Sequence, residues 1–243
     1  MIRMNKIPIV FSWSGGKDSS YALYKILQNE LYEVKYLLST INGNLKRLSM
    51  HGVREELIEA QAASIGIPLL KVYVYEADNN EYERKMNDTL LKVKSEGIST
   101  VAFGDIFLED LKQYREDKMR GIGMNCLFPI WQEDTLQLIN DFIEKGFKTI
   151  TCCINDGYLD KDWCGRVIDD SFLSQLPKNV DPCGENGEFH SFCYEAPFFK
   201  TKMNIVAGEK TYKELILKTK DHPTPIKEVG TKGFWFCDIL LQS

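Results

Sequence analysis

At 243 residues the chain exceeds the usual size of one compact domain and has the length for one large core or two smaller ones. With 44% hydrophobic and 27% charged residues it is neither disordered nor fibrous, and a formal net charge of -5 disfavours a nucleic-acid partner, which would need a local basic patch. The apolar run at 7–11 is too short for a secretion signal or a membrane span, which predicts a cytoplasmic protein with no membrane partner.

In chain order, the apolar, β-branched stretch 6–12 reads as a strand that stops at Gly15 and Gly16. Helix-spaced Tyr21, Ala22, Leu23 and Ile26 follow within 18–28. A second strand is expected at 33–41, a helix at 54–65 with Leu57, Ile58 and Ala62 on one face, and a third strand at 69–75. The segment 82–96 reads as a helix that stops at Gly97, before a strand at 100–103 and a polar turn from Gly104. Residues 109–120 alternate acidic and basic side chains, as on a solvated helix, with Arg115 the candidate exception.

Alternating strands and helices predict an α/β fold: a Rossmann-like parallel sheet with helices on both faces and ligands at the carboxyl ends of the strands, where Gly15 and Gly104 both fall. A further unit, strand 127–131, helix 133–145 and strand 148–153, extends that sheet or opens a second lobe. Beyond Asp156 the pattern turns to polar loops and shorter strands at 189–194, 198–206 and 214–220, a smaller α+β domain. The division is expected at 1–124, for nucleotide, and 125–243, for a second substrate. Phe234, Trp235 and Phe236 read as a terminal core strand, with a homo-oligomer contact as the alternative. Seven cysteines without a Cys-x-x-Cys pair read as reduced thiols rather than a disulfide framework or zinc ribbon.

Ser14, Gly15, Gly16, Lys17, Asp18 and Ser19 lie between the first strand and the first helix. Helix-terminal N–H groups and the helix dipole favour an anion there, the glycines permit close approach, the serines offer hydroxyls, and Lys17 offers a cation. The spacing is not Walker A, so γ-phosphoryl transfer does not follow. Asp18 beside a phosphate site must cap the helix, hold Mg2+ or orient Lys17. His51, after the second strand, reads as a contact to nucleotide or as a packing histidine. Gly104 and Asp105 end another strand beside the same cleft. Glu185, Asn186, Gly187 and Glu188 combine carboxylates with flexible backbone, and His190 shares the parity of Glu188 along a strand.

The hexapeptide Ser14 to Ser19 resembles the signature of the PP-loop ATP pyrophosphatases, and the block at 181–192 resembles that of their diphthine-ammonia ligase branch. The likeness extends to 49–51, 60–68, 103–106 and 159–166. It implies ATP and Mg2+ as cofactors, attack of a carboxylate on the α phosphorus, release of pyrophosphate, and displacement of AMP by free ammonium to give an amide. The implied acceptor is diphthine on elongation factor 2. It also implies Ser14, Gly15, Gly16, Lys17, Asp18, Ser19, His51 and Gly104 around ATP, and Asp105, Glu185, Asn186, Gly187 and Glu188 around the acceptor. Lys17, Asp18, Glu188 and His190 would be catalytic, with Asp18 the candidate Mg2+ ligand. A tRNA-modifying enzyme of the same superfamily and a non-catalytic ATP sensor are the alternatives.

Overall fold

The computed structural model describes residues 6–75, 79–215 and 230–242. Its first sheet contains β1 (Ile7–Ser12), β2 (Tyr32–Asn42), β3 (Arg47–Leu48), β4 (Leu69–Val74), β5 (Thr100–Ala102) and β6 (Asn125–Leu127). Hydrogen bonding runs β3-β2-β1-β5-β6, and β4 pairs with β2. Leu37 and Leu38 pair both with β1 and with β4, so β4 occupies the opposite edge of β2. All pairs are parallel except that of β3, a two-residue antiparallel addition at the end of β2.

Four helices, α1 (Lys17–Leu27), α2 (Glu55–Ile65), α3 (Asn79–Ser95) and α4 (Glu109–Gly121), alternate with these strands. The period-2 alternation of β1 sorts them between the faces. Ile9 and Phe11 pack with Tyr21, Leu23 and Ile26 of α1 and Leu57 and Ile58 of α2, whereas Val10 packs with Leu90 and Val93 of α3 and Met119 of α4. This is the expected parallel sheet covered on both sides. Because β2 and β5 lie on opposite sides of β1, the order reverses there and leaves a crevice at the carboxyl ends of β1 and β5.

The second sheet comprises β7 (Lys148–Asn155), β8 (Phe189–Glu195), β9 (Ile205–Glu214) and β10 (Gly233–Leu241), antiparallel in the order β8-β7-β10-β9. Before it comes α5 (Thr135–Glu144), capped by Asp134, which accepts from the Gln137 N–H at 2.8 Å, and between β7 and β8 lies α6 (Asp170–Gln175). One apolar core runs from Ile9 and Phe11 through α1 and α2 to Ile150, Ile154 and Phe192, so both sheets close on a shared interior. Trp235 and Phe236 of β10 pack against that core, as expected of a terminal core strand.

Two expectations shift. The strand expected at 127–131 is β6, ending at Leu127, because Pro129 has no N–H to extend a ladder. β6 pairs with β5 and forms one edge of the first sheet. The strand expected at 198–206 begins only at Ile205: the Phe199 N–H turns back to Ala196 O at 3.0 Å, and Phe198 packs edge-on to Phe147. Of the strand expected at 214–220, Glu214 closes β9 and residues 216–220 lie outside the described residues. No helix among the described residues is long and apolar enough to cross a membrane.

Candidate active site

The loop from Ser14 to Gly16 leaves β1 at the reversal point and enters α1 without a side-chain cap. Gly15 has φ 70, the left-handed conformation that glycine adopts without strain. Ser14 Oγ lies 3.1 Å from Ser19 Oγ, which donates to Gly16 O at 3.0 Å. The rest of the loop is held by β8: Cys193 N–H donates to Gly15 O at 2.8 Å, and Lys17 N–H donates to Ser191 Oγ at 3.1 Å. The uncapped helix start therefore opens at the seam between the sheets, where the partial positive charge of the N-terminus is presented to an anion.

Lys17 is buried, not the mobile cation its place in a glycine loop suggests. Its Nζ lies 2.7 Å from both carboxylate oxygens of Asp18 and 5.5 Å from the centroid of the Phe189 ring. Burial opposes its charge, but Asp18, then Cys183 and Glu185, outweigh that and push the ammonium up to about 12. Burial likewise pushes the Asp18 carboxyl up while Lys17 pulls it back. Of the roles open to Asp18, the geometry displays the orientation of Lys17.

A further carboxyl crowds the Lys17–Asp18 pair. Glu185 Oε1 accepts from the Ile106 N–H at 2.9 Å, tying the loop after β5 to the loop before β8. Burial and then the charge on Asp18 push the Glu185 carboxyl up to about 8. Asp105 is buried beneath Arg115, whose Nε and Nη2 stand 2.6 and 3.1 Å from its oxygens while the guanidinium stacks 4.5 Å over Phe103. Arg115 is thus committed to Asp105, while Lys118 and Tyr114 of the same helix reach Glu83 of α3. Gly104 brings this loop against α1: a Cβ there would stand 3.0 Å from the backbone N and Cα of Ser19, so the close approach is to the helix itself.

Two histidines meet beside the loop. The rings of His51 and His190 lie 4.7 Å apart, and a Cβ on Gly16 would come within 2.9 Å of His51 Cε1. Burial pushes His51 down to about 4 and His190 to about 3, with Lys17 adding to both, so both are neutral at pH 7. His51 Nδ1 faces Ser191 O at 3.1 Å. A carbonyl only accepts, so Nδ1 carries the proton and Nε2 is left as an acceptor. The loop bearing His51 is pinned to β10 by Arg47 and Arg54, which both reach Asp238, and by Phe236 against Gly52.

The substrate block divides. Glu185 joins Lys17 and Asp18, but Glu188 has no exposed surface, and its Oε1 accepts from the Asp181 N–H at 3.0 Å and from Asn186 at 3.1 Å. Gly187, at φ 85, turns the chain and gives its carbonyl to Asn155 Nδ2. Asn186, Gly187 and Glu188 therefore brace the 181–188 loop, together with Asp181, which accepts from Thr135 at 2.7 Å. The shared parity of Glu188 and His190 did not put both in one cleft, because β8 begins only at Phe189. Gln61, Ser191 and Cys183 escaped the sequence reading. Only Gln61 left a signal, a polar residue on the buried stripe of α2.

Among the described residues no group of three or more histidine, cysteine or acidic side chains is arranged to hold a metal by itself. The models of the diphthamide synthase N-terminal and C-terminal domains match residues 7–126 and 134–221. The chain is 24% identical over 220 residues to the diphthine–ammonia ligases of Bos taurus and Homo sapiens, covering 81% of this chain and 82% of each relative. Against the Saccharomyces cerevisiae diphthine–ammonia ligase it is 23% identical over 224 residues, 77% of this chain and 33% of that one. A solved structure of a U34-tRNA thiolase from Methanococcus maripaludis is a remote likeness, 16% identical with a TM-score of 0.38 over 59% of this chain and 58% of that one.

Proposed function

The chain belongs to the diphthamide synthase family, and we propose that it is an ATP-dependent ligase that forms a carbon–nitrogen bond by amidating a carboxylate through an acyl-adenylate. The observation that carries this reading is the uncapped start of α1, with Lys17 held on Asp18 beneath it and Glu185 facing both. ATP lies with its β and γ phosphates on the loop from Ser14 to Ser19. Its base would lie toward the largely apolar recess that includes Ser12, Leu38, Tyr82, Met86, Phe103 and Tyr114. The carboxylate of the acceptor attacks the α phosphorus. Loop N–H groups and Lys17 stabilise the charge that gathers on departing pyrophosphate.

Ammonia then attacks the mixed anhydride, the carbon–nitrogen bond forms, and AMP leaves. The incoming nitrogen must shed a proton, and Glu185, poised near neutrality and only half-buried, is the acceptor in place of the enclosed Glu188. His51 and His190, both uncharged, line the same side without adding positive charge that would repel ammonium. A divalent cation carried in by the nucleotide would have Asp18, beside the start of α1, as its ligand. Mg2+ held there would neutralise phosphate charge.

Diphthine on elongation factor 2 is the proposed acceptor and free ammonium the nitrogen source. Incubating the protein with ATP, Mg2+, ammonium and diphthine-bearing elongation factor 2 should release AMP and pyrophosphate in equal amounts, with one amide for each AMP. Release of ADP and phosphate would overturn the proposal.

A further inference from the structure

The buried face of α2 carries two polar side chains that the reaction above leaves unused, Gln61 and Ser64, and Gln61 is the one that reaches the phosphate loop. Gln61 has no exposed surface and stands between Leu57, Ile58 and Ala62. Its orientation is set by chemistry, since Trp13 Nε1 can only donate and the Gly15 and Cys193 carbonyls can only accept. Oε1 therefore accepts from Trp13 at 3.0 Å, and Nε2 donates to Gly15 O at 2.9 Å and to Cys193 O at 2.5 Å. Gly15 O accepts a second bond, from the Cys193 N–H at 2.8 Å.

A planar trans peptide points its C=O and its N–H in opposite directions. Two donors gripping Gly15 O from α2 and β8 thus turn the Gly16 N–H away from them, toward the open start of α1. Among the described residues that N–H has only a long contact, 3.4 Å to Ser14 Oγ. A Gly-Gly peptide, lacking Cβ atoms on both sides, is the kind most free to rotate when nothing grips it.

We infer that Gln61 is a positioning residue that locks the Gly15–Gly16 peptide with its N–H facing the pyrophosphate portion of the nucleotide. The inference rests on the ATP-cleaving reading above. Because Gln61 also bonds Cys193, the lock forms only when β8 is seated against the loop, which couples assembly of the two sheets to a competent phosphate site.

The test starts with pyrophosphate release from ATP by the wild-type enzyme, since absence of release there overturns the reaction and leaves the lock aside. Binding of magnesium pyrophosphate is then measured by calorimetry for wild type, Gln61→Leu and Gln61→Glu, alongside chemical unfolding and the KM values for ATP and ammonium. Gln61→Leu should weaken pyrophosphate binding and raise the KM for ATP by about tenfold or more, the scale of losing one oriented N–H donor, with the KM for ammonium unchanged. Gln61→Glu should bind pyrophosphate poorly at pH 8 and recover at pH 6, because only the protonated carboxyl can donate to Gly15 O. In wild-type protein labelled with 15N-glycine, the Gly16 amide resonance should move downfield on adding pyrophosphate. Folded variants that bind pyrophosphate as wild type does, a Gln61→Glu variant with no pH-dependent recovery, or a Gly16 resonance that stays in place would each overturn the lock.

Discussion

Asp238 ties β10 to the loop that carries His51, and Asp238→Asn isolates its charge while keeping its shape. The carboxylate takes Arg47 Nη2 at 2.8 Å and Arg54 Nε and Nη2 at 2.9 and 2.7 Å. The guanidinium of Arg54 and then that of Arg47 hold the carboxyl down at about 2, against an ordinary 3.8. That difference, at ~1.4 kcal/mol per unit, sets a ceiling of ~2.5 kcal/mol. The Asp238 side chain is 23% exposed, so water screens part of it, and a loss of ~1–2 kcal/mol, or ~3–6 °C in Tm, is expected. Because the folded value is depressed, the contribution is complete above 3.8 and disappears as pH falls through 2. Urea unfolding of wild type and variant should therefore differ fully at pH 7 and by about half as much at pH 3. The variant should also raise the KM for ATP, since His51 abuts Gly16. Equal stability at pH 7, or a difference that is the same at both pH values, would refute the reasoning.

Glu185→Gln tests the opposite linkage. A carboxyl at about 8 in the folded chain against an ordinary 4.5 binds more protons folded than unfolded, so wild-type stability should fall as pH rises from 4.5 to 8 while that of the variant stays flatter. Matching profiles in thermal melts would contradict the placement of Glu185. Gly16→Ala suits the local φ of -87 and ψ of 179, yet its Cβ would stand 2.9 Å from both His51 Cε1 and Ser191 O. The expected cost is ~1–3 kcal/mol in chemical unfolding, together with weaker nucleotide binding. Lys17→Met should cut pyrophosphate release by roughly a hundredfold or more, read by a coupled pyrophosphate assay.

The β1–loop–α1 unit could be read from sequence because everything that makes it is local: β-branched residues ending at paired glycines, then apolar residues at helical spacing. The crossover helices were equally legible, since each needs only its own stripe to bury. Elements defined by a distant partner were not. β3 is two residues long and exists only because Leu48 and Arg47 pair with Ile41 and Asn42. The run at 198–206 looked extended, but Phe198 and Phe199 are turned inward by aromatic neighbours rather than by a ladder.

The site divides in the same way. Lys17, Asp18 and the two glycines announce themselves by spacing, and Glu185 by its acidic, glycine-bearing loop. Parity and the resemblance of the 181–192 block both point to Glu188 as a reactive carboxylate, whereas the Asp181 N–H and the Asn186 amide take it for the loop. Gln61 lay hidden because a helical stripe is recognised by its apolar members. Its partners, Gly15 and Cys193, stand 46 and 132 residues away in sequence.

The claim at the centre is that a carboxylate oxygen attacks the α phosphorus. An acceptor whose carboxylate is labelled with 18O decides it directly. After one turnover with ATP, Mg2+ and ammonium, mass spectrometry should find a single 18O in the phosphate of AMP and none in pyrophosphate. Label in inorganic phosphate, or AMP free of label while amide forms, would contradict the account.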